Sequence, residues 1–184
     1  MQEIWVYLRA GFDHLAGLDG LDHMVYLLAI STSFSLLGWK KLIWLVTGFT
    51  LGHSISLMLS VVGWVAINPA IIENLIPITI IVSAVFFLVS GKNANWKSLI
   101  LGTVLVGVVH GLGFSNFLNE IKSDSVFSSL LGFNLGLELA QLALLTVMVA
   151  AQIALLKFKV AGEVKLGKAI NVLVIVLCLT LYII

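Results

Sequence analysis

Between Gly11 and His23 the chain reads GFDHLAGLDGLDH, which places His14, His23, Asp13, Asp19 and Asp22 within thirteen residues. The other two of its four histidines, His53 and His110, stand inside apolar runs, in FTLGHSISL and VVHGLGFSNF. Two carboxylates, Glu73 and Glu138, are also embedded in apolar sequence. Imidazole nitrogens and carboxylate oxygens without thiolate make a borderline-hard donor set. Such a set suits Ni(II), Co(II), Zn(II) or Cu(II) better than Cu(I). The single cysteine, Cys178, excludes an intrachain disulfide and a multi-cysteine zinc site, and reads as a small buried hydrophobe.

The elements that position these residues are set by composition. The chain has 184 residues, 60% hydrophobic and 10% charged, with mean hydropathy +1.14. Soluble domains carry about 25% charged residues, so lipid is expected to be most of its solvent. A net charge of +1 gives no footprint for nucleic acid. The expected fold is all-α: one polytopic membrane domain over residues 1–184. Six apolar runs, roughly 21–39, 42–66, 70–90, 98–118, 130–156 and 169–184, predict a six-helix bundle. Ile4, Leu8, Phe12 and Leu15 fall at helical spacing beside Trp5 and Tyr7, which predicts a short N-terminal helix lying at the interface. Gly17 and Gly20 then turn the chain into the membrane.

Lysines order the sides. Lys40, Lys41, Lys92, Lys97, Lys157, Lys159, Lys165 and Lys168 fall in alternate loops, against only Arg9 and Lys122 on the opposite side. The positive-inside rule then places both termini outside, in a bacterial inner membrane. No cleaved leader is expected from the N-terminal sequence. Counted from that orientation, His53 and His110 lie near the midplane. Asp22, His23, Glu73 and Glu138 lie in the outer half, so all six can meet in one outward-open cavity. Ionisable residues at such depth are functional candidates by default.

Several features support a cavity there. Asn134, Glu138 and Gln141 are spaced i, i+4, i+7 and share one helix face. No Lys or Arg lies within a run to serve Glu138. Pro77 deprives the Glu73 carbonyl of its helical partner. Ser56 and Ser115 follow the two intramembrane histidines closely. Gly48/Gly52, Gly107/Gly111 and Gly132/Gly136 form three Gly-x-x-x-Gly motifs, which let helices approach closely, each beside one of the polar candidates.

Together HLAGLDGLDHMVYLLAI, FTLGHSISL, IENLIPITI, VVHGLGFSNF and GFNLGLELAQL resemble the HupE/UreJ family of membrane proteins, over about residues 7 to 145. The resemblance implies hydrogenase or urease accessory roles and permeation of nickel, cobalt or in some cases copper. It also implies a metal site at His14, Asp22 and His23. Many members place five residues between the first histidine and the Asp-His pair, whereas LAGLDGL here is seven. The two extra residues rotate His14 relative to the others.

The expected function is therefore transport of a divalent transition metal, with His14, Asp22, His23, His53, Glu73, His110 and Glu138 as ligands. Ser56, Ser115, Asn134 and Gln141 are supporting polar groups. Expected partners are membrane lipid and the metal ion, with a homo-oligomer and metalloenzyme-maturation proteins as further candidates. No Walker motif is present, so the ion gradient and the membrane potential would drive uptake. Two alternatives stay open. One is an intramembrane zinc-dependent hydrolase with Glu73 or Glu138 as general base, though not of the HExxH kind. The other is a metal sensor or assembly factor without flux. Below His53 only Thr47, Thr103, Thr146 and Gln152 offer polar steps inward.

Overall fold

Glycine and chain breaks decide how this apolar sequence packs. The computed structural model describes residues 2–33, 38–90, 95–114, 126–160 and 162–182. Those residues form seven α-helices and no strand: α1 Gln2–Ala16, α2 Leu21–Ile30, α3 Trp39–Val61, α4 Pro69–Ser90, α5 Trp96–Gly113, α6 Val126–Lys157 and α7 Glu163–Tyr182. The last five are long and apolar enough to cross a membrane.

The first apolar run folds only in part. α2 has only 10 residues, about 15 Å at 1.5 Å per residue, half of a roughly 30 Å hydrocarbon core. The run expected over 21–39 stops as a helix at Ile30 because three successive hydroxyls turn back on it. Ser31 donates to Leu28 O, Thr32 to Ala29 O and Ser33 to Ile30 O, the local bonding by which Ser and Thr compete with helix.

α1 runs lengthwise and parallel to α6. A Cβ added at Gly132 would press on Ile4 O, one at Gly136 would collide with Leu8 O, and one at Gly11 with Phe133 O. With no side chain between them, the two backbones touch directly. α2 continues beside the later part of α6, where Gln152 Nε2 donates to Ser31 Oγ at 2.6 Å. α1 and α2 together thus track α6 from Gly132 to Gln152.

The break between them is a single 3-10 turn, Leu18–Gly20. Gly17 N–H closes on Asp13 O and Gly20 N–H on Gly17 O. Gly20 sits so close to α1 that a Cβ would lie 2.6 Å from His14 O and 2.7 Å from Leu15 Cα.

α3 and α5 pair in the same way, again parallel. Cβ atoms at Gly52, Gly107 and Gly111 would collide with Val104 O, Phe49 O and His53 O respectively. α7 begins beside the end of α2, where Asn171 Nδ2 donates to Thr32 Oγ1 at 2.7 Å. The start of α1 and the end of α7 therefore lie at one end of the bundle. The described loop lysines, from Lys40 to Lys168, gather at the other.

Candidate metal centre

The helix break delivers the polar residues. Asp22 and His23 open α2, and His14 closes α1. The seven residues between His14 and Asp22 are taken up by the break, which brings His14 back against His23. Their ring centroids are 5.3 Å apart with the planes at 84°. His110, at the end of α5, and His53, in the middle of α3, come from the glycine-packed pair. The His23 ring lies 5.1 Å from that of His110 and 5.8 Å from that of His53. All four histidines of the chain thus meet around His23.

Hydrogen bonds set the tautomers. Asp22 Oδ1 accepts from the His23 backbone N–H and from His23 Nδ1, both at 2.7 Å. That leaves His23 Nε2 carrying the lone pair, buried and without a hydrogen-bond partner among the described residues. His110 Nδ1 lies 2.9 Å from Val106 O. A carbonyl only accepts, so Nδ1 holds the proton and Nε2 is again the lone-pair nitrogen. His110 Nε2 faces Asp22 Oδ2 at 3.8 Å, beyond hydrogen-bond reach. Two lone-pair atoms therefore oppose each other across a gap. Ligand bonds of about 2.0–2.2 Å to a shared ion would hold two such atoms roughly 3–4 Å apart. His53 is fully buried, and neither ring nitrogen has a hydrogen-bond partner among the described residues.

Burying polar groups unpaired is costly, and here several of the atoms left unpaired are imidazole nitrogens. Among the described residues no three His, Cys, Asp or Glu side chains converge closely enough to hold an ion as they stand. The ring spacing is nonetheless of the right order. Two imidazoles on one tetrahedral ion, at bonds of about 2.0–2.1 Å, have centroids about 5 Å apart.

A cavity of about 670 Å³ leads to the cluster, lined by Asp13, His14, Asp22, His23, Glu73 and His110 together with Ala10, Ile76, Gly113 and Phe114. Its wall comes from the C-terminal ends of α1 and α5 and the first turns of α4. Glu73 is exposed there, one turn before the buried Pro77. Aromatic rings close the other sides. Phe49 lies 5.4 Å from the His23 ring and 5.2 Å from that of His110, Phe133 stacks on His53 at 6.3 Å, and Phe114 lies 4.2 Å from His14.

The expected site residues divide accordingly. His14, Asp22, His23, Glu73 and His110 share the cavity, and His53 sits against its floor. Glu138 and Gln141 do not line it. They face α3, accepting from Thr47 Oγ1 at 2.7 Å and Thr50 Oγ1 at 2.8 Å. Asn134 donates to Leu130 O and is within reach of His53. Ser56 donates to His53 O within the tight α3–α5 contact. Ser115 lies outside the described residues.

Sequence reasoning overlooked Asp13 as a cavity residue. Its one legible signal was adjacency to His14. Asp13 is held at the rim by Arg9, with Arg9 Nε 3.3 Å from Asp13 Oδ2. The aromatic walls and the Thr47 and Thr50 partners were also overlooked, because they depend on which helices pair.

No curated protein and no solved structure matches the chain. Among protein families it matches "HupE / UreJ protein" over residues 1–184. With several apolar helices built around an intramembrane histidine cluster, the chain is a multi-pass membrane protein that belongs to the HupE/UreJ family, one linked to nickel and cobalt accessory or transport roles.

Proposed function

We propose that the protein is a permease for a divalent transition-metal ion of the nickel and cobalt class, with copper and zinc as chemically close cargo. The observation that carries this reading is the set of buried, unpartnered nitrogens His23 Nε2, His53 Nδ1 and Nε2, and His110 Nε2 beneath a carboxylate-lined cavity. Asp13, Asp22 and Glu73 concentrate cations at the mouth. Asp22 also fixes the His23 tautomer, the carboxylate–histidine arrangement that orients a metal ligand. The helix break supports the same reading, since discontinuous helices are where membrane transporters place ion sites. In the orientation the loop lysines favour, in a bacterial inner membrane, the cavity faces outward and both termini lie outside. The membrane potential then favours inward movement of a dication by about 4–5 kcal/mol per 100 mV.

A binding-only role, as sensor or assembly factor, is the second reading. It draws support from the aromatic floor formed by Phe49 and Phe133 under the cluster. Hydrolysis draws less. Ser54 and Ser56 spend their hydroxyls on Thr50 O and His53 O, and Glu138 lies away from the cavity.

Purified protein in liposomes loaded with a metal-sensitive dye tests the permease. Saturable Ni²⁺ or Co²⁺ influx, driven by an inside-negative potential and lost in His53→Ala, is the expected result. Tight binding without influx at any potential would leave only the binding role.

A further inference from the structure

Towards the lysine-rich end, α3 and α6 leave a groove between them. It holds about 420 Å³ and runs between Trp39, Leu42 and Ile43 of α3 and Leu145, Val149 and Ile153 of α6. Leu42 and Leu145 are buried, whereas Trp39 and Ile153 stay exposed. The groove therefore opens outward from the bundle, on two helices long and apolar enough to cross a membrane.

Its chemistry changes along its length. Behind Trp39 the lining is hydrocarbon apart from Thr146, whose hydroxyl donates to Leu142 O at 2.7 Å. From Leu142 to Ile153 the α6 wall is about 16 Å long. That is about half of a roughly 30 Å hydrocarbon core, the depth of one leaflet. The mouth, by contrast, is cationic. Lys40 Nζ sits 5.7 Å from the centre of the Trp39 ring. Lys157 follows Ile153 by four residues and so stands on the same face of α6, one turn further on. Both lysines are exposed.

An apolar lining takes hydrocarbon, and ammonium groups at its mouth take an anion. An anionic phospholipid carries both parts in one molecule. A second copy of the chain fits less well. Among the described residues the lysine-rich end has Glu163 as its only carboxylate, so a copy in the same orientation would set lysine against lysine.

We propose that the α3–α6 groove binds an anionic phospholipid, with an acyl chain along Leu42, Leu145 and Val149 and the headgroup phosphate at Lys40 and Lys157. Basic pockets between transmembrane helices recognise anionic headgroups in this way. The site does not depend on what the histidine cluster binds.

Quenching of tryptophan fluorescence by brominated lipid tests it. The purified full chain is reconstituted in phosphatidylcholine vesicles that contain a rising fraction of phosphatidylglycerol with brominated acyl chains. A parallel series uses phosphatidylcholine brominated in the same way. The Trp39 signal is the difference between wild type and Trp39→Phe. Each lysine near the membrane surface is worth about fivefold in affinity for anionic lipid, so Trp39 should be half-quenched at a phosphatidylglycerol fraction at least fivefold below the phosphatidylcholine one. The double variant Lys40→Gln and Lys157→Gln should lose that preference. Lys165→Gln with Lys168→Gln, which removes the same charge from α7, should keep it. Ala150→Phe, which fills the groove from its own lining, should bring the two fractions together. Equal quenching by the two lipids would overturn the site, as would a preference that the α7 pair removes just as fully. A preference untouched by Ala150→Phe would overturn the groove as the seat of the acyl chain. A Trp39 shielded from both lipids would overturn the proposal in favour of a second copy covering the groove.

Discussion

At the scale of single residues, Asp22 does two jobs with two oxygens. Oδ1 fixes the His23 tautomer, and Oδ2 faces the lone pair of His110 across 3.8 Å. Asp22→Asn keeps the shape but loses the charge, and replacing the carboxylate that orients a metal-binding histidine costs about 10–100-fold in affinity. Isothermal titration with Ni²⁺ should return a loss in that range, and unchanged affinity would remove Asp22 from the site. The rotated position of His14 in the sequence predicted a minor role. The structure returns its ring to His23 at the rim of the cluster. His53→Ala and His110→Ala should still weaken binding more than His14→Ala, because they delete the deepest donors.

Acid should act on the same atoms. The ligating forms are neutral imidazole and ionised carboxylate, so protons compete with the metal. Binding should therefore weaken progressively in acid, and Ni²⁺ affinity that does not fall at any acid pH the folded protein withstands would exclude the imidazoles as ligands.

At the scale of elements, the break between α1 and α2 is what makes the site. The apolar run after Leu21 was legible as membrane sequence, but its early end was not. Hydropathy cannot register Ser31, Thr32 and Ser33 turning their hydroxyls back on the helix. Nor could periodicity reveal that α1 stands against α6, since amphipathic spacing suits an interfacial helix equally well. The Gly-x-x-x-Gly motifs did announce close contacts, though not their partners. Gly132 and Gly136 meet α1, while Gly52, Gly107 and Gly111 join α3 to α5.

Glycine substitutions test these contacts. Gly107→Ala would drive a methyl into Phe49 O. Overpacking of this kind costs about 1–3 kcal/mol, so the thermal midpoint in detergent should fall and metal affinity with it. Gly20→Ala would force α1 and α2 apart at His14 and Leu15. It should cut Ni²⁺ affinity at least tenfold without removing any ligand. Full affinity in a folded Gly20→Ala protein would show that the break does not position the histidines.

At the scale of the whole molecule, ordered pieces of sequence were enough to indicate the family and the all-helical membrane fold. The convergence of His23, His53 and His110 was foreseeable from depth, because residues at one level of a small bundle have few places to go, whereas that of His14 was not. The separation of Glu138 from the cavity was not foreseeable. Depth sets height in the membrane, whereas the face of α6 that meets α3 depends on packing. The arrangement predicts that both termini share one side of the membrane. Reporters fused to either end should therefore give the same signal, silent for a cytoplasm-only reporter if the lysine-rich end is inside. Opposite signals would require an odd number of crossings.

The central claim is that the four histidines gathered at the helix break bind the metal cargo. X-ray absorption spectroscopy of Ni²⁺ bound to the purified chain tests it most directly. The spectrum should show nitrogen and oxygen neighbours with the outer-shell scattering of at least two imidazoles and no sulfur, and His53→Ala should reduce that imidazole count. Sulfur scattering, or an imidazole count unchanged by both His23→Ala and His53→Ala, would contradict it.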